Sequence, residues 1–128
     1  MGILESAPKT SIPKPVVWVG SSRKDLITLP TTVVDTFGYG IYLAQIGRRH
    51  EKSKTLRGFG DAGVIELIDS RAANTFRAVY TVRFPVAVFV LHVFQKKAKS
   101  GSSTPKQDIE LIAVRLRRAA ELAKEMKW

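Results

Sequence analysis

Arg77, Lys96 and Lys97 are cations set in or directly against apolar strands, a combination suited to binding phosphate. Arg77 stands within Phe76-Arg77-Ala78-Val79-Tyr80, and the two lysines close the apolar run from Ala87 to Phe94. A strand of small apolar residues fixes the direction of its few polar side chains, so these charges are positioned rather than loosely solvated. Glu66 and His92, in the same segments, are groups able to take up or release a proton. Lys54 and Arg57 belong to a basic stretch running from Arg48 to Gly58. Cations of that kind grip a phosphate backbone without reading its sequence. An ordinary solvated charge run is the plainer reading of them.

The whole chain carries the same bias. Its 21 lysines and arginines against 11 acidic residues give a formal charge of +10 and a pI near 10.2. Nucleic acid is the first partner to expect from that balance, and anionic membrane surfaces the second. There are no cysteines, so disulfides, thiolate metal sites and thiol catalysis are excluded. The longest strongly apolar run, Val86 to Leu91, is far short of the roughly 20 residues of a membrane helix. The first residues lack a secretory apolar segment, and a cytoplasmic location is expected.

These side chains need elements to hold them. Residues 1–14, with mixed polar residues and no periodicity, read as a flexible tail, and residues 15–128 as a single domain. Residues 15–20 form a short strand closed by Gly20. Ser22 with Asp25 resembles a capping box opening a helix. Pro30 interrupts that helix or begins a second, whose stripe of Val33, Val34, Phe37, Ile41 and Ala44 ends near Gly47. Three strands follow at residues 64–68, 75–82 and 87–94, then a polar linker over residues 96–103. Thr104, Pro105 and Gln107 mark the start of a last helix, as N-cap, first and third positions. Its apolar stripe runs through Ile109, Ile112, Leu116 and Ala119, leaving Arg115, Arg117 and Arg118 as a solvated face. The order β, two helices, three strands, helix describes an α+β domain with a mostly antiparallel sheet.

Five pieces in this order carry a family resemblance: Lys54-Thr55-Leu56-Arg57-Gly58; Ile65-Glu66-Leu67; Phe76-Arg77-Ala78-Val79-Tyr80; Leu91-His92-Val93-Phe94-Gln95-Lys96-Lys97; and Pro105 before a C-terminal helix. Over residues 15–124 the chain resembles the RelE/HigB-like toxins, and their phage-derived HigB-like branch in particular. The resemblance implies a RelE-like fold: a curved, mostly antiparallel four-stranded sheet with two N-terminal helices and a C-terminal one. It implies the toxin of a type II toxin–antitoxin system, a ribosome-associated mRNA endonuclease (an mRNA interferase). Its partners would be mRNA, the ribosome and an antitoxin of helix-turn-helix type. Cleavage in such proteins uses no metal or cofactor: the ribose 2′-hydroxyl attacks the adjacent phosphate while basic residues stabilise the developing charge.

The resemblance implies that Arg77 and Lys96 stabilise that charge and that Lys97 is a basic group at the substrate. The residues themselves add His92 and Glu66 as further catalytic candidates, and Lys54 and Arg57, with Lys97, as RNA-binding groups. Glu66 departs from the better-known relatives, which carry a lysine there. Pairing Ile68 with Thr75 would set Glu66 opposite Arg77, where it either orients the arginine or acts as base. The general base stays open among His92, Glu66 and a lysine. Strand alternation puts Val88, Val90, His92, Phe94 and Lys96 on one face. Tyr80 has the opposite parity to Arg77 and reads as core, and His50 has a weaker claim from its place in the basic loop. The alternative is a non-catalytic RNA- or protein-binding domain of phage origin, favoured by the Glu66 departure.

Overall fold

The computed structural model describes residues 12–60, 63–97 and 104–126. Their elements are β1 (Val16–Trp18), α1 (Ser22–Ile27), α2 (Thr31–Gln45), β2 (Ser53–Thr55), β3 (Val64–Arg71), β4 (Asn74–Thr81), β5 (Val88–Lys97) and α3 (Lys106–Glu125). One sheet has the order β1-β5-β4-β3-β2, with β1–β5 parallel and the other pairs antiparallel. It has five strands, not four. The extra one, β2, lies in the basic loop as Ser53-Lys54-Thr55. Three polar residues at an edge have no apolar alternation to betray them, and β2 is defined by its pairing with β3. Most of the expected tail, residues 1–11, lies outside the described residues. Lys14 is tied to the end of α2: its N–H donates to the Gln45 carbonyl at 3.0 Å.

The sheet is covered on both faces. Ile65, Leu67, Phe76, Ala78, Tyr80, Val88 and Val90 pack with Val33, Phe37, Ile41 and Ala44 of α2. Val64, Val79, Phe89 and Leu91 pack with Ile112 and Ala119 of α3, flanked by Ile109 and Leu116. Gly40 costs α2 about 1 kcal/mol of intrinsic helix stability. It is needed there because a Cβ would lie 2.8 Å from Leu67 Cδ1. Gly47, at φ 83, ends α2 as expected: its N–H donates to the Ala44 carbonyl and that of Arg48 to the Leu43 carbonyl.

Both expected capping boxes are absent. Ser22 is the first residue of α1, and its hydroxyl donates to the Val90 carbonyl at 3.1 Å. The helix α3 starts at Lys106 with Pro105 at the cap position, and Thr104 is used elsewhere. In each case a partner distant in sequence outcompetes the local backbone for the hydroxyl. No described helix is long and apolar enough to cross a membrane.

The alternation expected along β5 is broken. His92 pairs with Val79, but Val90 pairs with Tyr80, which leaves Leu91 as the extra residue of a β-bulge. One inserted residue reverses parity. Val88 and Val90 therefore face α2, whereas His92, Phe94 and Lys96 share the α3 face with Arg77.

Candidate nucleic-acid site

The strand registers draw a line of residues across the sheet on the α3 side. Lys54 of β2 lies opposite Glu66 of β3, Glu66 opposite Val79 of β4, and Val79 opposite His92 of β5. The next line holds Ile68, Arg77 and Phe94. Arg77 is thus diagonal to Glu66, not directly opposite as the Ile68–Thr75 pairing would require. The hairpin closes later, through the two-residue turn at Ala72 and Ala73, where Ala72 has φ 55. A register change of this size keeps both side chains on one face, and an arginine spans the diagonal.

Arg77 Nη1 donates to Glu66 Oε2 at 2.9 Å. The Thr104 hydroxyl donates to the same oxygen at 2.8 Å and lies 3.3 Å from Arg77 Nη1. Glu66 is 0% exposed and Arg77 2%. Removing one partner of such a buried pair strands a charge. Glu66 Oε1 is buried with no hydrogen-bond partner among the described residues. The guanidinium is therefore turned toward Glu66, and contact with a phosphate through Nη1 requires that bond to break.

A cavity of about 780 Å³ opens over this group, lined by Lys54, Thr55, Leu56, Arg57, Glu66, Thr104 and Ile109. Lys54 and Arg57 are exposed, so the cavity has cations at its mouth and a carboxylate at its base. Three of the residues singled out in the sequence meet here, with Arg77 behind the carboxylate. His92 and Lys96 are not among the described lining residues.

His92 sits on the same face under α3. Its Nε2–H donates to Asp108 Oδ1 at 2.7 Å, because a carboxylate only accepts. The ring stacks on Phe94 with centroids 4.6 Å apart, and Nδ1 is buried without a partner among the described residues. Lys96 is half-buried opposite Thr75. Lys97 pairs with Asn74 at the end of β5, and its side chain lies outside the described residues. His50 is engaged within its own loop, where Nδ1 accepts the Lys52 N–H at 2.9 Å. Tyr80 packs in the α2 layer, as its parity implies.

Three participants escape a linear reading. Thr104 looks like a helix cap and is a bridge between Glu66 and Arg77. Asp108 in the first turn of α3 looks like a dipole partner and holds His92. Arg115 is not on a solvated face: Nη1 donates to the Leu91 carbonyl at 2.9 Å and Nη2 to Ser21 Oγ at 3.2 Å. No spacing signals any of the three, since each partner lies on another element. Among the described residues no group of three or more His, Cys, Asp or Glu could hold a metal ion.

A family model described as Phage derived protein Gp49-like matches residues 24–117. Among solved structures, the chain is similar to an arginine-to-alanine double mutant of the E. coli toxin RelE in the free state. Identity is 21%, coverage 84% of this chain and 98% of that one, and the TM-score 0.54. It also matches a chain of the toxin–antitoxin complex RelBE2 from Mycobacterium tuberculosis at 20% identity, covering 69% of this chain and 97% of that one, with a TM-score of 0.45. No curated protein sequence matches. The likeness to RelE is one of fold.

Proposed function

The chain belongs to the phage-derived Gp49-like family, and from that premise we propose that it is the toxin of a type II toxin–antitoxin pair, a cytoplasmic endoribonuclease that cleaves mRNA at the ribosome. The observation that carries this reading is the cavity with Lys54 and Arg57 at its mouth and Glu66, fixed by Arg77 and Thr104, at its base. A RelE-like sheet supports it. Its antitoxin would be a separate protein, of helix-turn-helix type on the resemblance set out above.

The chemistry needs no metal. The ribose 2′-oxygen attacks the adjacent phosphorus, the bond from phosphorus to the 5′-oxygen breaks, and a cyclic phosphate is left. Glu66 takes the 2′-proton through Oε1, the oxygen that Arg77 and Thr104 leave unbound. Arg77 acts through Glu66, holding the carboxylate rather than the phosphate. Lys54 and Arg57 offset the charge that builds on the phosphoryl oxygens. His92, buried against Asp108 and outside the described cavity lining, holds the first turn of α3 rather than meeting substrate, and the departing 5′-oxygen takes its proton from solvent.

Inducible expression in bacteria without a partner tests this. Wild-type protein should arrest growth and leave cut messages, and Glu66→Gln should slow cutting by roughly 10²–10⁴-fold. Because it leaves the Arg77 charge unpaired it should also lower stability by about 3–5 kcal/mol, so cutting is compared below the melting transition that circular dichroism locates. Equal growth and intact messages with both proteins would sink the catalytic reading. The buried Arg77–Glu66 pair favours one rival, a non-catalytic binder, in which that pair only stabilises the sheet. RNA binding without product ends on ribosomes would establish it.

A further inference from the structure

We propose that Tyr39, Tyr42 and His50 form a second RNA contact, a base-stacking platform that receives single-stranded RNA leading to the cavity; it rests on the reading of that cavity as an RNA site. Tyr39 and Tyr42 are 55% and 45% exposed. Spaced three residues apart, they lie side by side on the outer face of α2, opposite the stripe of Val33, Phe37 and Ile41. A single exposed aromatic needs no explanation. Here a third ring joins: His50 meets Tyr39 edge to face, with centroids 5.6 Å apart.

The loop that carries His50 is held in place. The Ser53 hydroxyl donates to the His50 carbonyl at 2.6 Å, Arg49 Nε donates to Ser53 Oγ at 3.2 Å, and the Lys52 N–H caps His50 Nδ1. Arg48 and Arg49 directly precede His50 in the chain, and Arg49 is held within the same loop by Ser53. Asp35, one turn before Tyr39 on α2, and Glu51 are the nearby acids in sequence, and the arginines balance them. Rings with cations beside them fit bases and phosphates together, which an uncharged protein surface does not require. From His50, beside Tyr39 on the α2 side, the chain runs along edge strand β2 to Lys54 and Arg57 at the cavity mouth on the α3 side, so the RNA turns around that edge. Seven residues reach at most about 24 Å, a span that a short single strand covers.

The full chain should be titrated with a fluorescent, mixed-sequence 2′-O-methyl oligonucleotide of about twelve residues. Lacking a free 2′-hydroxyl, it cannot be cut, so binding stands or falls apart from catalysis. Tyr39→Ala/Tyr42→Ala should weaken binding roughly tenfold or more without altering its salt dependence, and Tyr39→Phe/Tyr42→Phe should restore it. Arg48→Ala/Arg49→Ala should instead lower the slope of log K against log salt by about 1.4. Wild-type affinity in the double-alanine variant would overturn the platform and leave a protein as the occupant of the patch. A loss shared by the phenylalanine variant would overturn it too, since stacking survives that change. No binding by the wild type would overturn the platform, while cleavage on the ribosome would still be read by Glu66→Gln.

Discussion

Arg77 and Tyr80 show how three positions along one strand change the fate of a polar side chain. Arg77 points toward α3 and meets Glu66 and Thr104. Tyr80 points into the apolar layer under α2, 1% exposed, and its hydroxyl has no hydrogen-bond partner among the described residues. Burial pushes that hydroxyl up to about 12 from the usual 10, with Arg49 pulling weakly the other way. The folded state therefore holds the phenolic proton more tightly than the unfolded chain. This contribution is present below pH 10 and is lost as pH rises from 10 to 12, by roughly 2–3 kcal/mol in all. Tyr80→Phe should remove that alkaline loss. At neutral pH it should also stabilise the fold by about 1 kcal/mol, since an unpaired buried hydroxyl is deleted. Denaturant midpoints across the pH range check both outcomes.

The decisive element is β5, through its bulge at Leu91. Without that extra residue, parity would send His92 and Lys96 into the apolar α2 layer. Arg115 of α3 holds the bulged carbonyl and Ser21 together, across Gly20. That glycine has φ 58, and a Cβ there would lie 2.7 Å from Arg115 Nε. Arg115→Ala should cost about 1.5–3 kcal/mol, the range for hydrogen bonds to charged groups. Arg115→Lys should not repair it, because an ammonium cannot span both acceptors in the guanidinium's fixed geometry. Gly20→Ala is strained by its φ in any background but also clashes with Arg115. It should therefore cost less when Arg115 is already alanine, a non-additivity that urea unfolding of the four proteins measures.

Across the molecule, a charge of +10 meets a cavity where β2 and the start of α3 converge above Glu66. Lys54→Ala and Arg57→Ala should each lower the salt slope of RNA binding by about 0.7 while leaving stability within about 0.5 kcal/mol, both being exposed. Titrations at several salt concentrations and thermal melts would show whether they do. The α+β order, the second helix with its Gly47 stop, the core place of Tyr80 and the presence of Lys54 and Arg57 in one exposed basic stretch were all legible in the sequence. They rest on periodicity, turn chemistry and residue type, which act within a few residues. The fifth strand, the register that sets Arg77 diagonal to Glu66, the bulge that turns His92 toward α3, and the use of Thr104, Asp108 and Arg115 were decided only by tertiary structure. Each depends on a hydrogen bond or pairing between segments far apart in the chain, and a hydroxyl or a carboxylate carries no mark of which distant partner it will meet.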